Sequence, residues 1–101
     1  MRSLVLSLML LAGAAPAYAE APLGAVSFAE GVTAPEKVVV NERLWRCDGA
    51  RCSGPGETRG VAMMRACKSL ARDVGPIASF KVGVAALEAD AIAQCNGGAK
   101  D

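Results

Sequence analysis

Four cysteines supply the most reactive side chains in this 101-residue sequence, and their spacing decides which chemistry is open to them. They are Cys47, Cys52, Cys67 and Cys95. Such a set can form structural disulfides, a catalytic dithiol or a zinc site. Catalytic dithiols usually have two residues between their cysteines, whereas four residues separate Cys47 from Cys52. The gaps are also irregular for a four-cysteine zinc site, so the spacing favours two disulfides.

Local geometry distinguishes among the three pairings that four cysteines allow. The Asp48-Gly49 dipeptide predicts a tight turn, because glycine adopts positive φ without steric cost. A turn there places Cys47 and Cys52 opposite each other across a hairpin. Cys67 and Cys95 each fall on the apolar stripe of a predicted helix. We therefore predict Cys47–Cys52 and Cys67–Cys95 bonds, with a redox-active Cys47/Cys52 pair as an alternative.

The sequence contains no histidine, which excludes several reaction types. Neither a Ser-His-Asp triad nor a Cys-His pair can be built, and no histidine can bind zinc or haem. No two carboxylates are spaced in a way that suggests glycosidase chemistry. We therefore expect no catalytic residue, no metal and no cofactor, and interpret the protein as a non-enzymatic binding or structural module. A small hydrolase inhibitor, with Arg51 at the tip of a disulfide-held loop, is a further alternative.

The N-terminus has the three parts of a secretory signal peptide over residues Met1 to Ala19. Arg2 supplies the positive charge, Leu4 to Ala15 the apolar region, and Ala17-Tyr18-Ala19 the small residues before the cleavage site. The apolar run of about a dozen residues is shorter than the roughly 20 that a spanning helix needs. We therefore predict cleavage after Ala19, export to the periplasm or beyond, and no transmembrane segment in the mature chain.

The mature chain would hold ten basic and ten acidic residues, because Arg2 leaves with the signal peptide. A net charge of zero argues against a general nucleic-acid binder, whose affinity comes from neutralising phosphates. Seven of the basic residues lie between Arg43 and Arg72. This basic stretch suggests either contact with an anionic partner, an unknown protein or envelope component, or an ordinary solvated face. The sequence leaves the oligomeric state open.

The elements that must position these residues follow from local patterns. Residues 20–35 have no sustained period and are predicted to form a flexible arm, in which residues 25–28 could add a short edge strand. Three strands are then expected as an antiparallel meander, ending in a loop at 53–56. They are Lys37–Val40, Arg43–Cys47 and Arg51–Ser53, with turns at Asn41-Glu42 and Asp48-Gly49.

Two helices are predicted in the second half of the chain. Thr58 is a suitable N-cap for the first, and Gly75-Pro76 is a strong stop signal. An extended segment over 77–84 and a shorter alanine-rich helix ending near Cys95 complete the domain. The expected class is therefore α+β, with one disulfide-stapled domain over residues 36–98.

Three residues beside the first disulfide are candidates for contact with a partner: Trp45, Arg46 and Arg51. A lone tryptophan beside a disulfide is more often part of the core, so Trp45 is interpreted either as a core residue or as a contact residue for a partner. At helical spacing, one of Met63 and Met64 is expected in the core and the other at its boundary.

The run from Val38 to Cys47 and the following Cys52 form the pattern V-V-V-N-x-R-L-W-x-C-x(4)-C. Further matching positions are Cys67, Leu70, Ala71, Gly75-Pro76, Phe80 and Cys95-Asn96. On these residues the chain resembles a small uncharacterised family of exported bacterial four-cysteine proteins. The resemblance implies export and the four-cysteine layout, and it carries no activity, substrate or catalytic residue.

Overall fold

The structure, a computed structural model, describes residues 22–100 as a six-stranded sheet with two helices, which confirms the α+β class. The strands are β1 (Leu23–Phe28), β2 (Lys37–Val40), β3 (Arg43–Asp48), β4 (Arg51–Pro55), β5 (Ile77–Val82) and β6 (Ala85–Ala86). The helices are α1 (Gly60–Asp73) and α2 (Ala89–Cys95), and a short 3-10 helix over Asn96–Gly98 follows. The predicted signal peptide, Met1 to Ala19, lies outside the described residues.

The strand order is β2-β3-β4-β1-β5-β6, with every pair antiparallel. The first strand therefore lies in the middle of the sheet, and the expectation of a flexible arm or an edge strand is wrong for Leu23–Phe28. Val26 pairs with Cys52 on one side and with Phe80 on the other. Long-range pairing holds this strand in place, although its own sequence, interrupted by Gly24, has weak strand propensity.

The predicted meander of β2, β3 and β4 is confirmed. Asn41 and Glu42 both have positive φ, 51° and 68°, as the two-residue turn of a twisted hairpin requires. Gly49 has φ 66° in the second turn. The predicted loop at 53–56 is shorter than expected, because β4 continues to Pro55, where it pairs with Leu23 of β1.

Helix α1 covers one face of the sheet, which we call the inner face, and packs against β5 and β2. The core combines inner-face side chains with the buried side of this helix: Val26, Phe28, Val40, Trp45, Cys52, Met63, Ala66, Cys67, Leu70, Ala71, Ile77, Phe80, Val82 and Cys95. Met63 is buried and Met64 half-buried, as their spacing predicts. The proposed cap at Thr58 is wrong, because the helix begins at Gly60 and Arg59 occupies the cap position, where its side chain makes no capping hydrogen bond.

Trp45 lies flat across the inner face over two glycines of neighbouring strands. A Cβ atom added to Gly54 would lie 2.4 Å from the indole Cγ, and one added to Gly24 would lie 2.5 Å from its far edge. The indole Nε1 donates a hydrogen bond to the carbonyl oxygen of Pro55 at 3.0 Å. Its ring stacks near Phe80, with centroids 6.1 Å apart. The indole therefore requires glycine at both positions, because a Cβ atom at either one would overlap the ring.

Both predicted disulfides are present. Cys47 and Cys52 are directly opposite each other in the β3–β4 ladder, and their bond crosses the hairpin. Cys67 of α1 is bonded to Cys95 at the end of α2, so this bond ties the second helix to the first. The side chain of Asn96 continues the connection, since its amide accepts from the Ile77 N–H at 2.8 Å and donates to the Ile77 carbonyl at 2.9 Å.

Candidate functional site

The face of the sheet opposite the helices, which we call the outer face, carries a row of cationic side chains. Lys37 is opposite Arg46 in the β2–β3 ladder. The same row continues through Ser53 and Ala25 to Lys81 of β5. Because neighbouring strands are about 4.8 Å apart, the row spans roughly 19 Å. Positive charge therefore stands at both ends of a line that crosses the sheet.

Small side chains form the floor between these cations. Ala25 and Ser53 lie at the centre of the cationic row, and Ser27 and Ser79 lie opposite each other in the row beside it. Together with Arg46, Arg51 and Lys81 they line one open depression, which we call the basic trough. Its floor offers hydroxyl groups and its sides offer guanidinium and ammonium groups. Such a surface can donate hydrogen bonds to phosphate, sulfate or carboxylate oxygens.

The cations of the outer face have little opposing charge near them. Within residues 22–100 the ion pairs are Arg59 with Glu57 at 2.9 Å and Arg72 with Asp73 at 3.4 Å. Neither pair involves a residue of the outer face. The acid on this face is Asp48, which stands opposite Arg51 in the ladder without a side-chain contact within ion-pair distance. The trough therefore has a net positive charge that is free to act on a ligand.

The structure separates the three residues proposed for partner contact. Arg46 and Arg51 are exposed and lie together on the outer face. Trp45 points to the other side of the sheet and is 1% exposed, so its interpretation as a contact residue is wrong and its interpretation as core is confirmed. The alternation of strand side chains explains the difference, because adjacent residues face opposite sides. Arg51 begins β4, so the tip of the hairpin is formed by Gly49 and Ala50 instead.

The basic stretch predicted between Arg43 and Arg72 does not form one patch. Arg65, Lys68 and Arg72 are exposed on α1, which covers the inner face, so they lie on the opposite side of the molecule from Arg46. Sequence reasoning missed Lys37 and Lys81, which lie outside that stretch and complete the cationic row. The alternation of Lys81 with the apolar Phe80 and Val82 in β5 was an available signal, whereas the three valines that follow Lys37 in β2 gave none.

A second depression lies beside the Trp45 indole, between the sheet and the start of α1. Met63 and Phe80 are among its apolar lining residues, and Arg43 and Glu57 are its charged ones. Its cavity volume is about 40 Å³, which holds only a few water molecules. Pockets for small-molecule ligands are roughly 300–1,000 Å³, so this depression is not a ligand site of that kind.

In the described part of the chain, no group of three or more Cys, Asp or Glu residues is arranged to hold a metal ion. Among residues 22–100, neither helix has the length and apolar character needed to cross a membrane. All four cysteines are bonded, and Cys52, Cys67 and Cys95 are buried.

Comparison with known proteins places most of the chain within one family model. Residues 8–97 match a model described as a family of unknown function (DUF8200). Comparisons with curated proteins and with solved structures gave no match.

Proposed function

The chain belongs to this family of unknown function, and we propose that it is an exported, non-enzymatic binding module that holds an anionic partner in the basic trough. The observation that carries the proposal is the outer face, which neither helix of residues 22–100 covers. It presents Lys37, Arg46, Arg51 and Lys81 around small, hydroxyl-bearing residues, with one acid among them. A binding role needs no catalytic group, and the reactive thiols of this chain are occupied in disulfides.

The chemistry of the trough supports an oxygen-rich anion as ligand. Arginine presents a planar set of donors that matches carboxylate, sulfate and phosphate groups, and lysine adds a point charge. Serine hydroxyls on the floor can donate to the same oxygens. The trough has no aromatic side chain, so it lacks the stacking surface on which single-stranded nucleic acids depend. An anionic polymer or surface without bases fits this composition best.

Removing two cations from the outer face is expected to weaken binding to anionic probes about tenfold, because each exposed charge contact contributes about 0.2–1 kcal/mol. The variant is Arg46→Gln/Lys81→Gln in a chain of residues 20–101. Its affinity is measured at low salt for dextran sulfate in solution and for phosphatidylglycerol vesicles. This chain retains every contact described above, since the core and both disulfides lie within residues 22–100.

The matched control is Arg65→Gln/Lys68→Gln, which removes one arginine and one lysine from the exposed side of α1. Both variants have the same net charge, so only the position of the lost charges differs. The control should keep its affinity within about twofold, whereas raising the salt should weaken wild-type binding. Equal losses of affinity in the two variants would contradict the proposed function. So would the absence of binding to both dextran sulfate and the vesicles.

The two disulfides support both export and a structural role of the cysteines, because such bonds persist in oxidising compartments outside the cytosol. Protein recovered from the exported fraction should have the mass of residues 20–101 and should react with an alkylating reagent only after reduction. The check is intact-mass spectrometry with and without prior reduction. Alkylation of Cys47 and Cys52 in unreduced protein would instead favour the redox alternative, and an unprocessed mass would contradict cleavage after Ala19.

A further inference from the structure

An exposed apolar row lies beside the cationic row on the outer face. Val39 is opposite Leu44 in the β2–β3 ladder, and Leu23 is opposite Pro55 in the β1–β4 ladder. Each of these residues is two positions along its strand from a member of the cationic row, so the two rows run side by side about 7 Å apart. Leu23, Val39 and Leu44 are 64%, 62% and 48% exposed. Three of the five exposed large apolar side chains among the described residues therefore stand on one face.

This juxtaposition distinguishes between two kinds of anionic partner. A soluble polyanion contacts cations and hydroxyl groups, and it gains nothing from leucine and valine side chains left in water. The surface of an anionic bilayer offers both environments within a few ångströms: charged headgroups, and the apolar boundary beneath them.

We propose that the outer face docks on an anionic lipid bilayer, with Lys37, Arg46 and Lys81 at the headgroups and the apolar row inserted at their level. This inference rests on the proposed function and specifies its ligand. Docking on the opposite side would present Val61, Arg65 and Lys68 of α1, but Val61 is the one exposed large apolar side chain of the two described helices, since Met64, Val74 and Ile92 are half-buried. Charge and exposed apolar area coincide more fully on the outer face.

The experiment compares vesicles that differ only in charge. The chain of residues 20–101 is mixed with vesicles of phosphatidylglycerol and phosphatidylcholine in equal parts, or of phosphatidylcholine alone, and bound protein is measured by flotation. We expect binding to the anionic vesicles and little to the neutral ones. Leu23→Thr/Val39→Thr/Leu44→Thr should weaken that binding about tenfold, because it removes the apolar side chains while threonine keeps a strand-forming shape.

Two single variants, compared with each other, supply the matched control. Val39→Thr and Val61→Thr make the same chemical change at sites that are 62% and 72% exposed, on opposite sides of the molecule. Only Val39→Thr should weaken vesicle binding. Thermal unfolding and the state of the two disulfides show whether the triple variant folds. If it does not fold, Val39→Thr tests the inference alone, because it is a single exposed substitution.

Several results would overturn the inference. They are the absence of binding to anionic vesicles, equal binding to neutral vesicles, and unchanged vesicle binding in the folded triple variant. An equal loss in Val61→Thr would do the same. Binding of dextran sulfate through Arg46 and Lys81 without vesicle binding would also reject the bilayer as partner, while leaving the proposed anion-binding function intact.

Discussion

Replacing Gly54 by alanine is expected to lower the free energy of unfolding by about 3 kcal/mol, at the upper end of the usual cost of overpacking a core. The added Cβ would lie 2.4 Å from both Cγ and Cδ1 of the Trp45 indole. These atoms are at the root of the side chain, so the ring cannot swing aside without leaving its rotamer. Such a movement would also break the hydrogen bond from the indole Nε1 to Pro55. The backbone of Gly54 does not have positive φ, so the effect is steric.

The measurement is thermal or urea unfolding of the variant beside the wild-type protein. A loss of this size should lower the unfolding midpoint by about 15 °C in a domain this small. Gly60→Ala is the matched control, because a Cβ added there meets no atom within 4 Å. Alanine in the first turn of α1 should raise stability by up to about 1 kcal/mol. An unchanged midpoint for Gly54→Ala would mean that the indole does not lie over β4.

Removing the Cys67–Cys95 bond is expected to destabilise the protein more than removing the Cys47–Cys52 bond. The two bonds close loops with sequence separations of 28 and 5 residues. Chain entropy alone predicts losses of about 3.5 kcal/mol for the long loop and about 2 kcal/mol for the short one. The long bond also anchors α2, which is a single short helix with Cys95 as its buried residue.

The two double variants, Cys67→Ala/Cys95→Ala and Cys47→Ala/Cys52→Ala, serve as controls for each other. Each removes one bond and two thiols, and urea unfolding at one temperature gives both free energies. The strand ladder on either side of Cys47 and Cys52 continues to hold the hairpin after their bond is lost. A larger loss from the hairpin variant would show that loop closure does not dominate the contribution of these bonds.

Local patterns predicted much of the fold. The β-branched run before Asn41, the Asp48-Gly49 turn and the Gly75-Pro76 stop each act over a few residues, and each is present in the structure. The position of β1 could not be predicted in this way. Its pairing depends on Cys52 and Phe80, and the need for a small residue at Gly24 arises only once Trp45 lies across it. Strand order is therefore decided by contacts that no local window contains.

The candidate site was predicted less completely than the fold. Arg46 and Arg51 were found because they flank the cysteines, and the alternation rule could have separated them from Trp45. The rest of the trough depends on the strand order, since Lys81 reaches the row only because β1 lies between β4 and β5. The contiguous basic stretch was a misleading guide, because a hairpin and a helix carry its residues to opposite sides of the sheet.

The central position of β1 also affects how the chain folds. Val26 is separated by 26 residues in the sequence from Cys52 and by 54 from Phe80, its two partners in the sheet. Folding is slower when contacts join distant parts of a chain, because the entropy of closing the loop must be lost first. The β-meander and α1 can form as the chain emerges, but the sheet cannot close around β1 until β5 has been synthesised. The sheet should therefore be completed late in synthesis, and the edge of β1 that faces β5 stays unpaired until then.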